Sequence, residues 1–193
     1  MDGRSFIMSK KSLPTDWIAE TPRPEDAAAM AKLQAQSWLD TYQTETDTDR
    51  NAEVKRIAEG LHSPERIAVR EQYMDRALNN PVAFYKIVRT PDGELVGVLF
   101  GSKRQNPQEI VTLHVAAPYH GTGVAQTLMQ SFLDWSDPDI PIQVGVLEDN
   151  HRAQKFYEKF NFQITPETLH PYQESKHLLE IYMHRKAQNE IQS

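Results

Sequence analysis

The sequence predicts an α/β domain built around one mixed β-sheet flanked by helices. Three observations carry that expectation. The 193 residues suit about one domain. The hydrophobic period switches repeatedly, giving the order strand, helices, three strands, helix, strand, helix, two strands, so that the sheet has about six to seven strands. Two glycines, Gly121 and Gly123, stand where a β-branched run gives way to a strongly amphipathic helix.

Residues 1–15 lack periodicity and read as a loose arm, 16–187 as the folded domain, and 188–193 as a tail. Residues 17–21 have the apolar, β-branched look of a first strand. Pro22, Pro24, Glu25 and Asp26 then suit a helix start. Met30, Leu33, Ala35, Trp38 and Leu39 follow at helical spacing, and the acidic stretch 42–50 reads as a loop or helix junction. Val54, Ile57, Ala58 and Leu61 form a second helical pattern, broken near Ser63-Pro64. A third helix covers 67–78, stopped by Asn79-Asn80-Pro81. Strands are expected at 82–88 and 94–101, joined by the turn Thr90-Pro91-Asp92-Gly93, and at 109–115. A helix over 124–135, a strand over 142–147, a helix over 152–159 and strands at 162–165 and 178–184 complete the order.

Composition narrows the function. With 21 Lys and Arg against 27 Asp and Glu, a net charge of −6 argues against a general nucleic-acid binder. The absence of cysteine excludes disulfides, thiolate metal sites and Cys nucleophiles. The histidines lack metal-ligand spacing, and no Gly-x-Ser-x-Gly supports a serine hydrolase. No run approaches the roughly 18 apolar residues of a membrane span, and Phe6-Ile7-Met8 is too short for a signal-peptide core. The expectation is a cytoplasmic protein with no membrane or nucleic-acid partner; a homodimer is left open.

Chemistry concentrates in the segment from Leu113 to Gln126, where a strand ends, Pro118 stops further pairing, and Gly121-Thr122-Gly123 opens a helix. This layout suits a phosphate cradle, because glycine lets backbone approach oxygen atoms and free amides of the first helical turn face the anion. The same pair also serves many helix starts structurally. No Lys-Ser or Lys-Thr completes a Walker loop, and Gln126 occupies the third-glycine slot of the dinucleotide fingerprint.

A second segment, Val146-Leu147-Glu148-Asp149-Asn150 with Ala153, Phe156, Tyr157, Phe160 and Phe162 at fixed offsets, sharpens the reading. Together the two segments resemble the GNAT family of N-acetyltransferases. Its Q/R-x-x-G-x-G/A segment is matched except at the first position, where His120 stands. Its N-x-x-A-x-x-F-Y-x-x-x-G-F segment is matched except that Asn161 replaces a glycine, a mild change because Asn also tolerates positive φ. Trp38 and Tyr42 resemble the end of the first helix in many bacterial members.

The resemblance implies a GNAT-like fold and transfer of acetyl from the co-substrate acetyl-CoA to a primary amine of a small molecule or peptide by direct attack. A non-catalytic acyl-CoA-binding or regulatory module is the alternative. It implies that Leu113, His114 and Val115 pair with the pantetheine arm, and that His120, Gly121, Thr122, Gly123, Val124, Ala125 and Gln126 hold the pyrophosphate. Asn150, Ala153, Phe156 and Tyr157 would contact the cofactor arm, although Asn150 also reads as a turn or N-cap residue. Tyr157 would donate a proton to the departing thiolate; otherwise it is an aromatic packed beside Phe156. Members acting on protein N-termini often carry a Glu five residues before the Asn, where this chain has Gly145. For the general base, Glu109 opening the first cofactor strand, His114 and water all remain candidates. Glu45, Asp47 and Asp49 are either a solvated loop or an acidic acceptor entrance.

Overall fold

The protein was analysed as a computed structural model, which describes residues 13–165 and 169–191; most of the expected N-terminal arm lies outside them. The elements are β1 (Ile18–Glu20), α1 (Ala27–Tyr42), α2 (Thr48–Leu61), α3 (Pro64–Ala77), β2 (Ala83–Arg89), β3 (Leu95–Ser102) and β4 (Gln108–Val115). They continue with α4 (Val124–Trp135), β5 (Ile142–Leu147), α5 (His151–Glu158), β6 (Phe162–Ile164), β7 (His170–Pro171), β8 (Leu179–Arg185) and α6 (Gln188–Ile191). This is the predicted order with two additions, the two-residue β7 and the four-residue α6, which stands where a C-terminal tail is expected; both are too short for periodicity to mark.

Helix starts follow from the local residues. Asp47 accepts a bond from the Arg50 amide at 2.8 Å and caps α2, so part of the acidic stretch is a helix start and not a solvated loop. Ser63 caps α3, with Pro64 at a position where its missing N–H costs nothing. Asn161, at φ 64, turns the chain from α5 into β6 as its tolerance of the left-handed region allows.

The sheet runs β1-β2-β3-β4-β5-β8-β6, with β7 on β8, and every pairing is antiparallel except β4 with β5. The parallel pair holds only over Gln108↔Ile142, Glu109↔Gln143 and Ile110↔Val144. At that end buried Gln108 is fully satisfied: its Nε2 donates to the carbonyls of Asp137 and Ile140, and its Oε1 accepts from the Asp137 amide at 2.9 Å. Just beyond it, the β3 register places Phe100 opposite Thr112 and Gly101 opposite Ile110, leaving Val111 as an extra, bulged residue. A bulge bends its strand and increases local twist, and β4 diverges from β5 from this point on.

One sheet face packs against α4 through Val124, Leu128, Met129 and Phe132, with Leu99, Ile110, Ile142 and Val144 beneath. The opposite face packs against α1 and α3 through Met30, Leu33 and Met74 over Ile87 and Val98. Helix α4 lies so close to β3 that a Cβ on Gly97 would collide with Val124, and one on Gly101 with the Phe132 ring. Gly101→Ala should therefore lower stability by about 1–3 kcal/mol through overpacking, read as a fall in the urea midpoint at constant m-value. An unchanged midpoint would mean that α4 yields freely.

Candidate active site

The diverging strands open a cleft. Its larger chamber, about 600 Å³, is bounded by the β4 end at Leu113, His114 and Val115, by the loop at His120 and Gly121, and by α5. A smaller chamber of about 170 Å³ lies between β4, β5 and α1 and includes Gly145, Gln34, Trp38, Tyr172 and Glu180. The chambers share Tyr42, Leu113, His114, Asn150, Ala153 and Tyr157, so they meet at Tyr157.

The turn before α4 depends on its glycines. Gly121 at φ 80 and Gly123 at φ 102 adopt left-handed geometry that residues with a Cβ reach only at a cost. The amides of Gly121, Gly123, Val124, Ala125 and Gln126 have no hydrogen-bond partner among the described residues. They cluster at the positive end of a 12-residue helix, a ready anion site. His120, Gly121, Ala125 and Gln126 line the chamber. Thr122 instead bonds the Tyr119 carbonyl at 2.7 Å, and Val124 is fully buried in the core, so their side chains shape the turn.

Charge is divided between the chambers. Arg152, Lys155 and Lys159 line the larger one, and no Asp or Glu does so among the described residues, in a chain of net charge −6. Among the described residues, Glu180 is the only Asp, Glu, Lys or Arg lining the smaller one. Such segregation sorts an anionic from a cationic ligand. Glu45, Asp47 and Asp49 line neither chamber.

His120 and His114 are held neutral. His120 Nε2 lies 2.9 Å from the Val115 carbonyl, which requires the proton there, and Nδ1 then accepts from Arg152 at 2.8 Å. Burial and the Arg152 guanidinium lower its pKa further. His120 thus ties the cradle to the end of β4. Burial, with Arg70 nearby, pushes the His114 pKa down to about 4.

Tyr157 is 4% exposed, packs edge-on against Phe156 and Phe162, and has no hydrogen-bond partner among the described residues. Burial and neighbouring Tyr42 push its pKa up, so it stays a protonated phenol at neutral pH. Asn150 caps α5 by accepting from the Ala153 amide at 3.1 Å, and its Nδ2 donates to Tyr42 Oη at 2.9 Å. Burial raises Tyr42 to about 12. Glu109 is not brought into the site: it sits at the paired end of β4, accepts from Gln105, and lines neither chamber.

Sequence reasoning missed Glu180, Gln34 and Arg152 as lining residues. Glu180 arrives from β8, far along the chain, and strand alternation alone cannot single it out. Tyr42 carried a signal, its place at the end of the first helix, but no role was drawn from it.

A half-buried, neutral His114 has a testable consequence. The unfolded chain takes up a proton near pH 6.5 and the folded one only near 4. Its contribution to stability is therefore intact above 6.5 and is lost progressively as pH falls toward 4. His114→Gln should flatten the stability–pH profile in this window, measured by urea unfolding at stepped pH. Parallel profiles for the two proteins would contradict the lowered His114 pKa.

Comparison with known proteins places this geometry. The profile of the Acetyltransferase (GNAT) family matches residues 32–162. Uncharacterised N-acetyltransferases of Mycobacterium tuberculosis and Mycobacterium bovis are 30% identical over 120 residues, covering 60% of this chain and 65% of theirs, so the match spans just under two thirds of their length. Among solved structures, the PaiA N-acetyltransferase of Thermoplasma acidophilum in complex with coenzyme A superimposes with a TM-score of 0.69 at 16% identity, over 88% of this chain and 98% of that one. A spermidine N-acetyltransferase variant from Vibrio cholerae gives 0.61 at 13% identity, over 89% and 94%. At those identities the structures speak for the fold; the profile, covering most of the chain, shows that this protein belongs to the GNAT acetyltransferase family.

Proposed function

We propose that the protein is an acetyl-CoA-dependent N-acetyltransferase acting on a primary amine of a small molecule or peptide by direct attack in a ternary complex. The observation that carries the reading is the meeting of a cation-lined chamber and a carboxylate-bearing chamber at one buried phenol, Tyr157. Coenzyme A is a polyanion with an amide-bearing arm. The free amides of Gly121, Gly123, Val124, Ala125 and Gln126 suit its pyrophosphate, Lys155, Lys159 and Arg152 supply counter-charge, and the diverging end of β4 offers backbone to the arm. The PaiA structure, which contains coenzyme A, and the spermidine enzyme, which acts on an amine, support both halves of the assignment.

In this mechanism β4 and the cradle orient the thioester toward the smaller chamber, where the amine enters. The amine nitrogen attacks the carbonyl carbon directly, since the chain has no cysteine to form an acetyl-thioenzyme. Tyr157, protonated and without a hydrogen-bond partner among the described residues, donates its proton to the sulfur as the C–S bond breaks.

Tyr157→Phe keeps the ring packing and removes only that proton. With acetyl-CoA and a panel of amines, the variant should lose roughly 10²–10⁴-fold in kcat, about 3–5 kcal/mol of barrier, at unchanged coenzyme A affinity. A loss below threefold with chemistry rate-limiting would make Tyr157 a packing residue. Absence of turnover by the parent across the panel would overturn the enzymatic reading.

A further inference from the structure

The smaller chamber is a built site. A Cβ on Gly145 would collide with the Glu180 carboxylate, which therefore occupies the space above Gly145 that a side chain on β5 would otherwise fill. The placement follows from register: Gly145 opposes Tyr182 on β8, and Glu180 lies two residues along the same face. The carboxylate is anchored by His170 on β7, whose Nε2 stands 3.2 Å from Oε2. A second polar side chain lines the chamber independently. Gln34 is 94% buried, as its 6% exposure shows; its Nε2 donates to Thr112, and its Oε1 has no partner among the described residues. A buried carbonyl oxygen left unpaired costs about 1–3 kcal/mol, so an N–H donor arriving there recovers a real deficit. Thr112, His114 and Asn150 add polar groups to the wall, and most of its other residues are aromatic or apolar. Trp38 packs at 4.7 Å from Tyr42 and 5.1 Å from Tyr172, and Leu61 closes the chamber beside them.

A carboxylate, an orphan carbonyl and a wall of aromatic rings form a receptor for an ammonium group. At roughly 30 Å³ per water-sized unit, about 170 Å³ admits about half a dozen heavy atoms. Building on the proposed acetyltransferase reading, we infer that the acceptor is a protonated primary amine on an unbranched aliphatic stem, and that Glu180, delivered from β8 into the place left by Gly145, binds it and takes its first proton.

The step balances. The ammonium gives one proton to Glu180, and the freed lone pair forms the C–N bond. As the C–S bond breaks, sulfur takes the Tyr157 proton, and the second amine proton restores that phenol. The products are the acetamide, the free thiol and one proton, carried by Glu180 to water. Burial raises the Glu180 pKa, His170 opposes that rise, and Glu109 on β4 adds to it. The phenols of Tyr42, Tyr172 and Tyr182 also face this carboxylate, and all stay protonated at neutral pH. A carboxylate with a raised pKa is a better base than an ordinary one.

The test uses n-butylamine with saturating acetyl-CoA. Glu180→Gln should lower kcat/KM for the amine by roughly 10²–10⁴-fold at pH 7, with unchanged coenzyme A affinity. The variant depends on amine already deprotonated in solution, so its deficit should narrow by up to about tenfold per unit from pH 7 to 9. A purely structural Glu180 would give a deficit independent of pH. Gly145→Glu combined with Glu180→Ala returns a carboxylate to the chamber from β5 and should restore turnover, a readout that stands even if Glu180→Gln fails to fold. A Glu180→Gln protein within threefold of the parent, a pH-independent deficit, or a folded, coenzyme-binding double variant without turnover would each overturn the inference. A parent that acetylates other amines but not n-butylamine would overturn it while leaving the proposed function standing. A parent that acetylates none would overturn both.

Discussion

Strands β4 and β5 stay hydrogen-bonded over three residue pairs because Gln108 clamps one end of the pair and the bulge at Val111 turns β4 away at the other. A parallel pair normally extends its ladder as far as both strands run. Here the ladder stops within the sheet, and the exposed strand edges become the walls of a cleft. The clamp matters as much as the bulge: a divergence free at both ends would close by sliding, whereas one buried, fully bonded glutamine fixes the vertex. The cradle at Gly121 and Gly123, the aromatic wall of α1 and the carboxylate from β8 all converge on the opening so created.

Electrostatics then assigns the two sides. The positive end of α4, with Arg152, Lys155 and Lys159, makes one chamber attractive to a polyanion, while Glu180 makes the other attractive to a cation. In water such charges would be heavily screened; at a cleft with partly buried walls they act more strongly. The boundary groups carry no charge at neutral pH. Tyr157 and Tyr42 are held protonated by burial, and His114 is held deprotonated, so the ligands supply the charge at the junction.

The sequence was most informative where backbone geometry demands particular residues. Gly121 and Gly123 require left-handed φ, and Asn161 does too, so the cradle and the end of α5 were readable from residue type. Strands β2, β3, β4 and β5 and the amphipathic α4 were readable from period. The bulge at Val111 was not, because its cause is register across two strands. Nor was the role of Asp47, since an acidic run looks alike whether it caps a helix or simply meets solvent. Glu109 and Glu180 show the same limit from opposite sides. The first matched a spacing but lies at the clamped end of β4; the second matched none, yet strand pairing carries it over Gly145. Spacing along one strand sees its own residues, and a site assembled across strands needs the register.

The central claim is that the cleft between the split strands holds coenzyme A, with its phosphates on the α4 amides. Amide chemical shifts followed by two-dimensional NMR during titration with coenzyme A test this most directly. The account predicts the largest changes at Gly121, Gly123, Val124, Ala125 and Gln126, followed by Leu113, His114 and Val115, with little change along β1 and β2. Saturable binding whose shifts bypass the 121–126 amides, or no binding at millimolar coenzyme A, would contradict it.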